Sequence, residues 1–214
     1  MAEATTPLPR HWRLWVDPAA WAAVLRVRTE LADEPYCAQW AECGWPLVAT
    51  SIPLHTPLTL VPAGIALPPA AGRKRLSFLL PSEAVARTEP PPRLVAASRS
   101  APADWASCID TLIDVAPDTA VFGSLAWQYA TGLSYVGPLS DLDLLFVHHG
   151  REQSEALLRT VALIAAAAPM RLDGELVRED GAAAQWRELH DGAPEVLVKR
   201  MDGVALVERE EFLA

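Results

Sequence analysis

The sequence predicts an α+β fold in two parts: a smaller, strand-rich N-terminal domain, residues 1–95, and a more regular C-terminal domain, residues 96–214, with a mixed sheet flanked by helices. Three observations carry this. Fourteen of the 19 prolines lie before residue 100, and five of the eight tryptophans before residue 46. Proline removes a backbone donor and fixes φ, so the first half suits short strands and turns. After residue 100, helical and strand spacings alternate, and the Asp-Gly pairs at 180–181, 191–192 and 202–203 punctuate the C-terminal stretch.

Taken in order, Asp17 is placed to cap a helix that opens with Pro18 and carries Trp21, Val24, Leu25 and Leu31 until Asp33 and Pro35 stop it. Pro46–Thr50, Thr59–Leu67 and Arg73–Leu80 read as strands between Pro and Gly turns. The run EPPPR, Glu89–Arg93, is a stiff connector, and the domain boundary falls between Pro90 and Pro102. Ala103–Val115 is a helix by the spacing of Trp105, Cys108, Ile109, Leu112 and Ile113. Thr119–Phe122 is a short strand. Gly123-Ser124 then turns into a short helix, Leu125–Ala130, and Thr131–Pro138 is a loop. Ser140–His148 is a strand and Glu152–Ala168 an alanine-rich helix. Met170–Val177, Ala182–Leu189, Glu195–Arg200 and Val204–Val207 form a meander divided by Asp180-Gly181, Asp191-Gly192 and Asp202-Gly203. Ala182–Leu189 reads as strand from its flanking turns, with helix as the alternative.

The chain has 214 residues, 51% apolar and 21% charged, which excludes a disordered chain. The longest apolar stretch, Val161–Met170, is half of the ~20 residues a bilayer span needs. Cys37, Cys43 and Cys108 cannot staple a fold of this length. The opening MAEATTPLPRHW lacks the pattern of a signal peptide, so a soluble cytoplasmic protein is expected. Residues 1–100 carry 10 Lys and Arg against 8 Asp and Glu; residues 101–214 carry 8 against 19. No basic stripe exists for a nucleic acid, and a polyanion bound by the acidic half requires a metal between like charges.

The chemistry concentrates in V-F-G-S-L-A-W-Q (Val121–Gln128) and S-D-L-D-L-L-F (Ser140–Phe146). On a strand Asp141 and Asp143 share one face while Leu142 and Leu144 enter the core. Two carboxylates so placed repel unless a hard cation neutralises them, and can converge on one. A strand that ends in Gly123-Ser124 and turns into a helix presents N–H groups and a hydroxyl to an anion, and the missing Cβ of Gly123 permits close approach. The two pieces describe a phosphate cradle beside a metal-binding strand.

The order strand, Gly-Ser, helix, strand with Asp-x-Asp resembles the nucleotidyltransferase superfamily of the DNA polymerase β type. Phe122–Tyr135 with Ser140–Leu145 is more closely similar to one family, the malonate decarboxylase holo-acyl-carrier-protein synthases, which are phosphoribosyl-dephospho-CoA transferases. So are L-P-R-H (Leu8–His11), P-P-R-L (Pro91–Leu94), R-L-D-G-E-L (Arg171–Leu176), W-R-E-L (Trp186–Leu189) and V-L-V-K (Val196–Lys199).

The resemblance implies a C-terminal nucleotidyltransferase fold. It implies transfer of the phosphoribosyl-dephospho-CoA group from 2'-(5''-triphosphoribosyl)-3'-dephospho-CoA to a serine of the acyl carrier subunit, with release of pyrophosphate. It also implies magnesium, or manganese, held by Asp141, Asp143 and a third acid on a later strand. Asp173 is the preferred third acid and Glu175, on the same face, the alternative. Gly123 and Ser124 are the expected phosphate-binding pair. Arg171, Arg187, Lys199 and Arg200 are the available cations, with Arg187 and Lys199 inside matched segments. Arg10 and His11 lie in the matched N-terminal motif, where a substrate role and a packing role against Trp12 and Trp15 both stand open. Arg73-Lys74-Arg75 is the densest basic cluster, suited either to docking an acidic carrier or to keeping an edge strand soluble.

Overall fold

Asp17 Oδ1 accepts hydrogen bonds from Ala19 N and Ala20 N, and Pro18 occupies the first helical position, so the expected helix begins where its sequence signals place it. The structure is a computed structural model and describes residues 8–31, 33–51, 56–57 and 59–214. The expected strand Thr59–Leu67 is described from Thr59 onward. The chain divides into two compact units, Met1–Pro90 with Ala130–Ser134, and Pro91–Tyr129 with Tyr135–Ala214. The described residues form a mixed α+β protein with two sheets.

The first unit contains β1 (Arg13–Val16), α1 (Pro18–Val27), β2 (Leu47–Ala49), β3 (Leu60–Ala66), β4 (Arg75–Pro81) and β5 (Val85–Glu89). These strands form an antiparallel sheet in the order β4-β3-β2-β1-β5. Two of its strands, β1 and β5, are absent from the expectations above. Both are short, and β5 ends at the first residue of the stretch read as a connector. The α1 helix stops at Val27, earlier than expected, and a separate 3-10 turn at Thr29–Leu31 carries Leu31 into the core. Trp21 and Trp40 are fully buried, and each indole N–H is bonded to a backbone carbonyl, Cys37 O at 2.8 Å and Pro46 O at 3.1 Å. Lys74 of the basic cluster is paired with Glu34.

The second unit runs α2 (Leu94–Ala97), α3 (Ala106–Val115), β6 (Ala120–Val121), α4 (Gly123–Thr131), β7 (Leu142–Val147), α5 (Arg151–Ala167), β8 (Leu172–Val177), β9 (Ala183–Gln185), α6 (Trp186–Asp191), β10 (Glu195–Lys199), β11 (Val204–Glu208) and α7 (Arg209–Leu213). Its sheet has the order β11-β10-β9-β8-β7-β6. Only β7 and β8 pair in parallel, joined by the α5 crossover. Leu142, Leu144 and Phe146 of β7, Leu172 and Leu176 of β8, and Leu158 and Val161 of α5 meet in one core with Ile109 and Leu112 of α3.

Three expectations are corrected here. Ala182–Leu189 is not one strand: β9 ends at Gln185, whose side-chain oxygen accepts from Arg187 N and Glu188 N and starts α6. Asp191-Gly192 is therefore no hairpin; Gly192, at φ +75°, ends α6 in the left-handed conformation. The helix after Val121 also begins earlier than expected, with Gly123 and Ser124 inside its first turn. No helix among the described residues is long and apolar enough to cross a membrane.

Candidate active site

Asp143 and Asp173 are direct partners in the parallel β7–β8 register. Adjacent strands lie ~4.8 Å apart, so the two carboxylates sit side by side on one sheet face. The neighbours of Asp143 along the chain, Leu142 and Leu144, are fully buried, as the alternation requires. Asp141 precedes the strand, where Leu142 N bonds Arg171 O at 2.9 Å and keeps the chain in line with β8.

Gly123 closes this row from the helix side. Its φ is +63°, and a Cβ built there would lie 1.8 Å from Asp143 Oδ2 and 2.7 Å from Asp143 Cγ. The close approach that the glycine permits is thus made by the Asp143 carboxylate, at the first turn of α4, where the helix dipole favours negative charge. Phe122 N bonds Asp143 O at 3.1 Å and ties the turn to β7. Ser124 follows, half-buried, in the same turn.

Asp173 is held in place. Its Oδ1 accepts from Gly174 N at 2.9 Å and from Gln185 Nε2 at 3.0 Å. Gln185 therefore caps α6 with its oxygen and orients Asp173 with its nitrogen. Sequence reasoning passed over Gln185; the available signal was a single amide between three alanines and Trp186. Gly174 is required by packing, since a Cβ there would meet Leu144 O at 2.4 Å. A second omission is Gln128. Its Oε1 accepts from Tyr135 N and Val136 N, both at 3.0 Å, and its Nε2 donates to Ser100 O at 2.6 Å. This amide ties Tyr135 and Val136 to α4 and to the chain at Ser100.

Three of the four expected cations, Arg171, Arg187 and Lys199, are already engaged; Arg200 is tied only through its backbone N–H to Gly203 O at 2.8 Å. Arg171 lies 3.7 Å from Asp141 Oδ2 and 3.9 Å from Asp173 Oδ2, a cation between two of the three acids. Arg187 donates to Leu172 O at 2.9 Å and stacks 4.3 Å from the Trp186 ring centroid. Lys199 is bonded at 2.7 Å to Glu175, whose side chain is 5% exposed. Glu175, the alternative third acid, is thus a buried ion-pair partner two residues from Asp173. His148 bonds Leu213 O and Gly150 N at the entry to α5.

Hard carboxylate oxygens in adjacent strands suit a magnesium-type ion. Among the described residues, no three His, Cys, Asp or Glu side chains are gathered into a finished cation cage. Arg171 stands as the positive charge between Asp141 and Asp173.

Acids at strand ends beside the first turn of a helix suit charge-neutralised group transfer. The family model for the phosphoribosyl-dephospho-CoA transferase MdcG C-terminal domain matches residues 93–210, and its N-terminal counterpart matches residues 9–91. A curated phosphoribosyl-dephospho-CoA transferase from Bradyrhizobium diazoefficiens is 42% identical over 97% of this chain and 93% of its own. Proteins of the same name from Xanthomonas axonopodis pv. citri and Xanthomonas campestris pv. campestris are 36% and 32% identical, each over 94% of both chains. No solved structure matches the chain significantly. The protein is a transferase. It belongs to the phosphoribosyl-dephospho-CoA transferase family, as its sequence motifs indicated.

Proposed function

We propose that this chain transfers the phosphoribosyl-dephospho-CoA group from 2'-(5''-triphosphoribosyl)-3'-dephospho-CoA to a serine hydroxyl on the acyl carrier subunit of malonate decarboxylase. The serine oxygen forms a bond to the phosphorus nearest the ribose. The bond from that phosphorus to the oxygen it shares with the next phosphate breaks, pyrophosphate leaves with the electron pair, and the serine proton passes to solvent. The observation that carries this reading is the in-register pair Asp143–Asp173 packed against Gly123. It supports a nucleotidyltransferase fold in the second unit.

In this reading Asp141, Asp143 and Asp173 would hold magnesium or manganese, which offsets charge on the phosphates when bound. Gln185 keeps Asp173 aimed at the site. Ser124, in the first turn of α4, donates to a phosphate oxygen. Arg171 exchanges its carboxylates for the triphosphate, and Arg187 fixes the strand that carries Asp173. Lys199 is held by Glu175, so its part is to keep that buried carboxylate neutralised beside Asp173. The chain itself forms no covalent bond to substrate; catalysis is positioning and charge neutralisation.

The test is mass spectrometry of the carrier subunit after incubation with enzyme, donor and magnesium. A mass gain equal to the prosthetic group, localised to one serine, with matching pyrophosphate release, is expected. An unmodified carrier alongside modification of another protein or of a nucleic acid end assigns a different acceptor and overturns the reading.

A further inference from the structure

The six-stranded sheet ends on β11, which pairs with β10 alone. Its hairpin partner fixes which way its backbone points. Arg200 N bonds Gly203 O at 2.8 Å and Arg209 N bonds Pro194 O at 2.9 Å, and bonded pairs recur at every second residue of an antiparallel ladder. Gly203, Ala205, Val207 and Arg209 therefore turn their N–H and C=O groups to β10. Val204, Leu206 and Glu208 turn theirs outward. Among the described residues, none bonds the backbone of Val204 or Leu206 on that open side. The two residues are 67% and 66% exposed.

The other sheet edges are guarded. At the far side, β6 is two residues long and covered by the chain before α2: Arg93 bridges Ala120, while Val121 N bonds Pro92 O and Leu94 N bonds Thr119 O, both at 2.8 Å. In the first unit the edge strand β4 begins at Arg75 and ends at Pro81, and the edge strand β5 carries Arg87. Even where β9 stops short of Leu197, the exposed N–H of Leu197 is taken by a Glu188 carboxylate oxygen at 3.1 Å. Strand β11, V-A-L-V-E, has no lysine, no proline and no break in register along its pairing with β10. A straight apolar edge of this kind is a template for another strand.

The residues select the occupant. Leu206 sits at the centre of the outward set, with Val204 and Glu208 two residues to either side. A second copy running antiparallel about a two-fold axis at Leu206 sets Leu206 against Leu206 and Val204 against Glu208, so every outward residue of one copy meets an outward residue of the other. Leu197 of β10 lies directly opposite Leu206 and is exposed as well, so the apolar row Leu197-Leu206 continues unbroken into the second copy. The charges agree. Glu195 opposes Glu208 at one end of the β10–β11 ribbon, and Lys199 opposes Val204 at the other. The two-fold brings the acidic end of each copy to the lysine end of the other, whereas a copy running parallel would set Glu208 against Glu208. We propose that β11 pairs with β11 of a second copy, giving a two-fold dimer with one continuous sheet. By register, Leu197 and Leu206 lie on the sheet face that carries Asp143 and Asp173, so both sites open on the same side of the dimer.

Sedimentation of the full chain over a concentration series tests this, and should show a monomer–dimer equilibrium. Leu206→Lys places like charges at the axis and removes apolar contact, and should weaken the dimer about tenfold or more. Val204 faces Glu208 of the second copy, so Val204→Glu should dissociate the dimer while Val204→Lys should hold it at least as tightly as the parent. Both positions are exposed, so all three variants should melt as the parent does. Leu206→Cys should cross-link to itself under mild oxidation, read by mass spectrometry as a peptide joined at that position, because bonded antiparallel pairs hold their α-carbons ~5.5 Å apart. A parent that stays monomeric at every concentration overturns the proposal. So does a dimer that Leu206→Lys and Val204→Glu both leave unchanged, or one that never yields the cross-linked peptide, since it is then held elsewhere.

Discussion

The α-carbon of Gly123 faces the carboxylate of Asp143 so closely that a methyl group on it would lie 1.8 Å from Oδ2. Gly123→Ala must push that carboxylate aside and also hold φ near +63°, which costs an L-residue ~1–2 kcal/mol. Transfer should fall about 10²-fold or more, the usual consequence of misplacing a reacting group by an ångström. The melting temperature should fall with it. Steady-state transfer assays paired with thermal melts check this; parental turnover would remove the packing role of the glycine.

Asp143 and Asp173 oppose like charges across the one parallel ladder. Asp143→Asn should abolish transfer yet change stability by no more than about 1 kcal/mol, because relieved cross-strand repulsion and lost attraction to the first turn of α4 are of similar size and opposite sign. Asp173→Asn should do the same, since its amide oxygen still accepts from Gly174 and Gln185. Urea melts in EDTA, run beside activity assays, separate the two effects. A destabilised, active Asp143→Asn would assign the carboxylate to folding.

Lys199 neutralises Glu175, which is almost wholly buried. Lys199→Met strands a buried carboxylate and should cost about 3–5 kcal/mol of stability. Adding Glu175→Leu should restore most of that loss. If Lys199→Met instead leaves the urea midpoint unchanged and raises only the KM for the donor, the lysine serves the substrate directly.

Arg171 stands within 4 Å of both Asp141 and Asp173 and is more than half exposed. An exposed ion pair contributes about 0.2–1 kcal/mol, so Arg171→Gln should tighten manganese binding by roughly 1.4- to 5-fold. It should also slow transfer, because a cation for the triphosphate is gone. Manganese titration followed by electron paramagnetic resonance reads the affinity independently of turnover. Weaker manganese binding in the variant would show that Arg171 organises the carboxylates and does not compete for them.

The alternation of Asp141, Leu142, Asp143 and Leu144 makes one side of the site legible before any coordinates, since strand geometry alone sends the acids to one face. The glycine signal was legible too, but its meaning was not. Sequence shows that something must come near Gly123, and only the fold shows that Asp143 does. The pairing of Asp143 with Asp173 depends on the α5 crossover setting a parallel register, which no local pattern encodes. Gln185 was missed for a related reason: its role depends on where β9 stops, and the three alanines before it give no boundary. In the first unit β1 and β5 escaped notice because each is short. The Trp residues there announced burial without announcing partners.

The parallel β7–β8 ladder also orders events in time. Thirty residues and a helix separate Asp143 from Asp173, whereas β8 through β11 are joined by short connections. Contacts that close a long loop form late, after local ones have repaid their entropy. The two acids therefore meet when most apolar surface is already buried, and their repulsion falls on the native side of the barrier. Removing one charge should therefore act on the unfolding rate while leaving the refolding rate nearly untouched. The folding route in this way spares the nascent chain the electrostatic cost that its finished site imposes.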